Sequence, residues 1–242
     1  DWRIEVDIAL NVQYGRDDQL IFAQQLGVEQ VVMTVDNYGE EVLAKAKNRV
    51  EKSALKLAGL EGLVLADVNA ASAVVRAAGA VGIGLVSVGQ TAVDAREPVG
   101  RGEAMAGRRS GPAVNASAVA SVLTAANEAG VQLALAGDVP GAGVDLDLAE
   151  LDGTDPVAII NGYGDRLLMV RVGNVSAGRE AFLNEGKIDL PSTLLALKRV
   201  GFVGPVRAGL PPGMVGDTEW GHKGRAYDLG YLKAVLQAIA SL

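Results

Sequence analysis

Short apolar runs alternate with stretches of helical periodicity along this chain, and in each pair the apolar run comes first. Ile8 to Val12 and Gln30 to Val35 read as strands, the second with Asp36 and Asn37 at its C-terminal end. Between them, Asp17 and Asp18 supply N-cap chemistry for a helix over Gln19 to Leu26, and Gly27 can close it in the left-handed conformation. The Lys-, Glu-, Ala- and Leu-rich stretch from Glu40 to Leu60 predicts a helix solvated on one side. Asp67 caps a helix running to about Ala78, with Gly79 as its stop, and Val81 to Val88 forms a strand ending at Gln90. The Gly- and Pro-rich stretch 91–113 predicts a long loop, of the kind that carries function or moves.

Val119, Val122, Leu123 and Ala126 then fall on one helical face. Strands follow at Val131 to Leu135, Val144 to Leu148, Arg166 to Val172 (ending at Asn174) and Gly204 to Ala208. Asp155-Pro156 opens a short helix with proline in its first turn. Pro191 to Val200 forms a helix stopped by Gly201, and Ala226 to Ile239 the closing one.

Repeated strand–helix alternation implies a parallel sheet covered by helices. No G-x-G-x-x-G turn follows the first strand, so a dinucleotide-binding open sheet has no support. The expected fold class is α/β: a TIM (β/α)8-type barrel in one domain over residues 1–242. Seven strands are readable, and one βα unit is shortened or irregular. The length matches the roughly 250 residues common for such barrels.

Composition sharpens this picture. Apolar residues make up 49% but aromatics only 4%, so Ala, Val, Leu and 31 glycines do the packing. The net charge of −7, from 29 acids against 22 bases with no long basic run, disfavours nucleic acid and anionic membranes as partners. No apolar stretch reaches the roughly 18 residues of a spanning helix. Asp1-Trp2-Arg3 does not open a signal peptide, and the cytoplasm is the expected location. Cysteine is absent and His222 is the sole histidine. A zinc, manganese or iron site would therefore rest almost wholly on carboxylates.

A set of motifs runs in order through the C-terminal third: Gly164-Asp165-Arg166, Val170 to Val175, Phe182 to Lys187, Gly201 to Arg207, Trp220-Gly221-His222 and Tyr231-Leu232. Weaker echoes lie at Ile8 to Gly27, Pro98 to Gly102 and Glu128 to Leu135. Together they resemble the mannonate dehydratase family, within the xylose-isomerase-like TIM barrels. The resemblance implies a divalent metal, usually manganese, and dehydration of a sugar acid to a 2-keto-3-deoxy acid.

The family's metal ligands do not carry over. Its histidine after the Leu-Ala-Leu strand is Ala136 here, although Asp138 and Pro140 remain, and its cysteine ligand is matched by Asp147. The histidine of its Phe-His-Asp-Glu-Gly segment is Leu183, while Glu185 and Gly186 remain. Its strand histidine before Asn174 is Arg171. Its last-strand motif keeps Arg207 but has Gly209 and Leu210 where an acid and a histidine would stand. Ala, Leu and Gly offer a metal no donor atom.

The expected reading is therefore a mannonate-dehydratase-like barrel with a degenerate metal site and no cofactor, serving as a non-catalytic binding protein or subunit. The alternative is an active sugar-acid dehydratase or isomerase with a rearranged site that uses Mn or Mg. Candidates for catalysis are Arg171, Arg207 and His222: the arginines would stabilise an enediolate while His222 or Asp147 takes the proton. Asn11, Gln90, Asp138 and Asn174 are candidates for ligand binding, and Asp36 for helix capping. A hard-oxygen metal site from Asp138, Asp147 and Glu185 is a further alternative. Arg171, in an apolar strand, needs a partner, either an internal acid or a ligand carboxylate. Gly100-Arg101-Gly102 is a weak anion signal, and 211–216 reads as a loop over the barrel mouth. Expected partners are a sugar acid or other small carboxylate, and a second copy or a related barrel covering faces left by shortened segments near 137–145.

Overall fold

The computed structural model describes residues 7–35, 38–89, 116–136, 138–151, 153–176, 179–208 and 219–241. Eight parallel strands close into a barrel in the order β1-β10-β7-β6-β5-β4-β3-β2. They are β1 (Ile8–Gln13), β2 (Gln30–Thr34), β3 (Lys56–Leu63), β4 (Leu85–Val88), β5 (Gln132–Leu135), β6 (Gly143–Asp147), β7 (Leu167–Val172) and β10 (Val206–Ala208). The helices are α1 (Asp17–Gln25), α2 (Glu40–Lys52), α3 (Val68–Ala80), α4 (Ala116–Ala129), α5 (Pro156–Tyr163), α6 (Leu190–Arg199) and α7 (Glu219–Ala240). A small antiparallel hairpin, β8 (Asn174–Ser176) with β9 (Arg179–Ala181), follows β7. None of the helices among the described residues is long and apolar enough to cross a membrane.

The eighth strand lies where a helix was expected. Helix α2 ends at Lys52, Ala54 takes a left-handed conformation (φ 52°), and β3 begins at Lys56. The stretch Glu40 to Leu60 is thus a helix, a turn and the first five residues of a strand. Four element boundaries also differ from expectation. Helix α1 starts at Asp17 after an uncapped Arg16, so Asp17 and Asp18 act through the N-terminal dipole rather than as caps. Strand β4 starts only at Leu85, with Gly82 (φ 71°) in the preceding turn. Asn174 opens a hairpin rather than ending β7. Helix α7 begins at Glu219, which places His222 within the helix rather than before it. Other local signals hold: Asp67 accepts from the amides of Asn69 and Ala70, Asp155 caps α5, and Gly27 is left-handed at φ 61°.

Two apolar regions support the barrel. The larger fills the space between strands and helices and includes Leu43, Val50, Val75, Val122, Leu135, Ile160, Leu197 and Leu232. The smaller is the barrel's own interior: Ala9, Val32, Leu85, Ala134 and Met169, each from a different strand. Side chains on a strand alternate between faces, so the next interior positions lie two residues further on. There the barrel changes character: the residues are Asn11, Thr34, Ser87, Ala136 and Arg171.

A candidate site in the barrel interior

Above the apolar floor, charged groups from several strands meet toward the C-terminal ends, the side on which α/β barrels carry their active sites. Arg207 of β10 is the centre. Its Nη1 donates to Glu61 Oε2 of β3 at 2.8 Å, and its Nη2 donates to Asp145 Oδ1 of β6. Glu61 also accepts from Asn11 Nδ2 on both carboxylate oxygens, at 2.9 Å each, and from Thr34 Oγ1 at 2.9 Å. Asp145 accepts from Ser87 Oγ. Five strands besides β10 thus contribute to one network around a single guanidinium.

A second pair lies beside it. Arg171 of β7 donates from Nε and Nη2 to Asp147 Oδ2, at 2.6 and 2.5 Å, while Asp147 Oδ1 accepts from the Ala149 amide at 3.0 Å. Asp147 and Arg171 are neighbours in register across β6 and β7. Both arginines are buried, at 8% exposure for Arg171 and 7% for Arg207, so each needs a nearby anion. The chain itself provides both.

The other expected residues are placed apart. Asn174, 1% exposed, devotes its side chain to the main chain: Nδ2 donates to the carbonyls of Leu183 and Ile188, and Oδ1 accepts from the amides of Val175 and Ile188. A Cβ on Gly186 would lie 1.9 Å from Asn174 Oδ1, so glycine is required where this latch closes. Asp138 is exposed and pairs with Arg166 at 2.7 Å. His222 stacks on Phe22, ring centres 4.7 Å apart. Asp36, Gln90, the loop 91–113 and the loop 211–216 lie outside the described residues.

The carboxylate metal site anticipated from Asp138, Asp147 and Glu185 is not formed. Asp138 faces Arg166, Asp147 faces Arg171, and Glu185 is exposed beside Asp228. No group of three or more His, Cys, Asp or Glu side chains that could hold a metal ion occurs among the described residues. Nor do the residues of the central network suit the divalent ion that barrels of the resembling family use. The oxygens of Glu61 and Asp145 already accept from Asn11, Thr34, Ser87 and Arg207, and a guanidinium stands between the two acids.

Sequence reasoning missed Glu61, Asp145 and Asp228. Glu61 was hidden by the helix assigned over its strand. Asp145 shares the face of Asp147 in Val144-Asp-Leu-Asp-Leu148, an alternation that could have flagged it. Asp228, on α7, is 2% exposed and accepts from the Leu183 amide at 2.9 Å. Burial raises its pKa to about 6, against the lowering effect of that hydrogen bond and with a further raise from Glu185.

No protein-family model matches the chain, and no curated protein matches it in sequence. Solved structures do match in fold. A xylose isomerase domain protein from Planctomyces limnophilus superposes with a TM-score of 0.72 at 16% identity, covering 98% of this chain and 99% of that one. Mannonate dehydratase from Streptococcus suis serotype2 gives 0.74 at 15% identity, covering 98% and 94%. D-psicose 3-epimerase from Clostridium cellulolyticum H10, solved with D-tagatose, gives 0.64 at 13% identity, covering 95% and 99%. At these identities the likeness is one of architecture: the chain shares the closed barrel fold of these proteins.

Proposed function

We propose that this chain is a mannonate-dehydratase-like barrel that works without a metal, as a non-catalytic binding protein or as a subunit beside a related barrel. The observation that carries the reading is the Arg171–Asp147 pair: these residues stand where the resembling family has a strand histidine and a cysteine ligand, and they bond each other. Metal-assisted dehydration needs a Lewis acid with an open coordination position that can polarise a substrate oxygen. A guanidinium provides positive charge and hydrogen-bond donors but no coordination position, and it does not lose its proton at any ordinary pH. Here Nε and Nη2 of Arg171 are already bound to Asp147. The sugar-processing names among the structural neighbours suggest the ligand class: a sugar acid or another small carboxylate.

Two measurements on the purified chain test this. Elemental analysis after manganese loading and desalting is expected to find no stoichiometric metal. A panel of aldonic acids is expected to yield no 2-keto-3-deoxy acid. Keto-acid formation would establish the competing reading, an active lyase or isomerase in which Arg171 and Arg207 stabilise charge and His222 or Asp147 moves the proton. Light scattering at micromolar concentration is expected to show an oligomer, and a clean monomer would remove the self-assembling form of the subunit role.

A further inference from the structure

We propose that the barrel has a built-in opening at the seam between β1 and β10: the two strands part there reversibly while the rest of the barrel stays folded, and Lys233 is the clasp that holds the seam shut from outside. This opening is independent of the metal-free reading above, and neither falls with the other.

Every other pair of neighbouring strands in the barrel is joined by its own connecting segment, but β1 and β10 come from opposite ends of the chain. Parting them strains no connection. Their ladder is short: Ile8 pairs with Val206 and Ala9 with Arg207, and the Val206 amide donates to the Asp7 carbonyl at 2.9 Å. Ala208 still pairs with Val172 of β7 but, among the described residues, with none of β1. Beside it lies a cavity of about 10 Å³, roughly the room one water needs, lined in part by Leu10, Val12, Gln19, Phe22 and Ala208. The Tyr14 amide donates to Thr34 of β2, so the Gln13 amide points the other way, toward β10. A side chain takes it instead of a strand: it donates to Gln19 Oε1 at 2.7 Å. Gln19 is 3% exposed, and its Nε2 has no hydrogen-bond partner among the described residues. The β3–β4 and β5–β6 ladders are also short, but each is backed by a covalent connection.

Side chains tie this seam on both faces. Inside, Arg207 Nη1 of β10 reaches Glu61 of β3, a strand on the β1 side. Outside, Lys233 Nζ of α7 donates to the carbonyls of Leu26 and Gly27, at 2.7 and 2.9 Å, where α1 ends. The last carbonyls of a helix lack partners within it and carry the negative end of its dipole, so an ammonium suits them. The same device recurs between consecutive helices. Lys47 of α2 donates to the Val81 carbonyl at the end of α3, at 2.9 Å, and Lys198 of α6 to the Ile239 carbonyl near the end of α7, at 3.4 Å. There the lysine backs a covalent link, whereas at the seam Lys233 replaces one. The inner tie cannot be cut without orphaning a buried charge. The outer tie can be removed by one neutral substitution.

The test is native-state hydrogen exchange, read by mass spectrometry, on the wild-type chain, Lys233→Met and Lys47→Met. Lys233→Met is expected to speed exchange in β1, β10 and α7 about fivefold, with β4, β5 and α4 at wild-type rates. Lys47→Met removes the same kind of bond elsewhere and should leave β1 and β10 unchanged. Uniform acceleration along the chain, or none in β1 and β10, overturns the proposal. Faster exchange in α7 alone would mark fraying of that helix and overturns it as well. A second measurement needs no change at Lys233. The chain has no cysteine, so a single introduced thiol reports opening by its labelling rate. Ala208→Cys, beside the seam cavity, is expected to react at least about tenfold faster than Ala125→Cys in α4, at a rate that stays flat in low urea. Both alanines are buried, so equal rates that rise together with urea would show that the seam opens only on global unfolding, and the proposal would fail. Neither measurement involves a metal or a sugar acid, so its failure is distinct from failure of the function proposed above.

Discussion

The barrel interior has two storeys built from the same strands, and they are held by different physics. The lower storey is Ala9, Val32, Leu85, Ala134 and Met169, apolar and almost dry. The upper holds Asn11, Thr34, Glu61, Ser87, Asp145 and Arg207, with Arg171 and Asp147 beside them. The lower is stabilised by surface removed from water and by close packing, which are non-directional and insensitive to pH. The upper is stabilised only while every charge keeps its partner, because the penalty for an orphaned buried charge exceeds the net gain from pairing it. One storey tolerates exchange among residues of similar volume, and the other is all-or-none.

The largest effect should come from breaking the upper storey. Arg207→Gln is expected to lose about 4 kcal/mol of unfolding free energy, the scale for removing one partner of a buried ion network, measured by urea titration. Met169→Ala in the lower storey should cost about 3 kcal/mol by leaving a cavity. Exchange of Met169 for leucine, which keeps the volume, should cost less than about 1.5 kcal/mol, and an equal loss for the two variants would blur the contrast. Gly186→Ala should cost about 2 kcal/mol, because the new methyl collides with Asn174 and opens the latch on residues 183–188.

Asp228 provides a third case, a buried carboxyl with no cation beside it among the described residues. Its folded pKa, about 6, lies above the ordinary 3.8, so the folded state favours the protonated acid. The stability it contributes is complete below about pH 4 and is lost as pH rises through about 6. Asp228→Asn is therefore expected to be neutral near pH 4 and to stabilise the chain by about 1–2 kcal/mol at pH 7.5. Thermal melts across that range check it, and equal effects at both ends would show that the buried acid is not what limits stability. The smallest effect belongs to the exposed Asp138–Arg166 pair: Asp138→Ala should change stability by less than about 0.5 kcal/mol, and salt should erase even that.

Legibility in the sequence followed the same division. Strands of β-branched and long aliphatic residues, such as Gln30–Thr34 and Leu167–Val172, announced themselves through composition. Strand β3 did not. Lys56-Leu-Ala-Gly-Leu-Glu-Gly-Leu63 holds two glycines, an alanine and a glutamate, and it follows a helix rich in the same charged and small residues. Gly59 is small because Met169 and the Leu85 backbone press against it, a reason that exists only once the barrel has closed. Losing that strand meant losing Glu61, and with it half of the central bridge. Arg171 was flagged because a guanidinium in an apolar strand must have a partner, and Asp147 was among those anticipated.

By itself, then, the sequence determined the alternation of strands and helices, the helix stops at Gly27 and Gly201, and the absence of histidine and cysteine from the strand ends. These are properties of local periodicity and composition. Only the tertiary structure decided that Arg207 meets Glu61, 146 residues away, and Asp145, 62 residues away. Pairing across a barrel depends on which strands lie opposite and on which interior positions reach the same height. Closure of the sheet sets both, and no local stretch of residues encodes it.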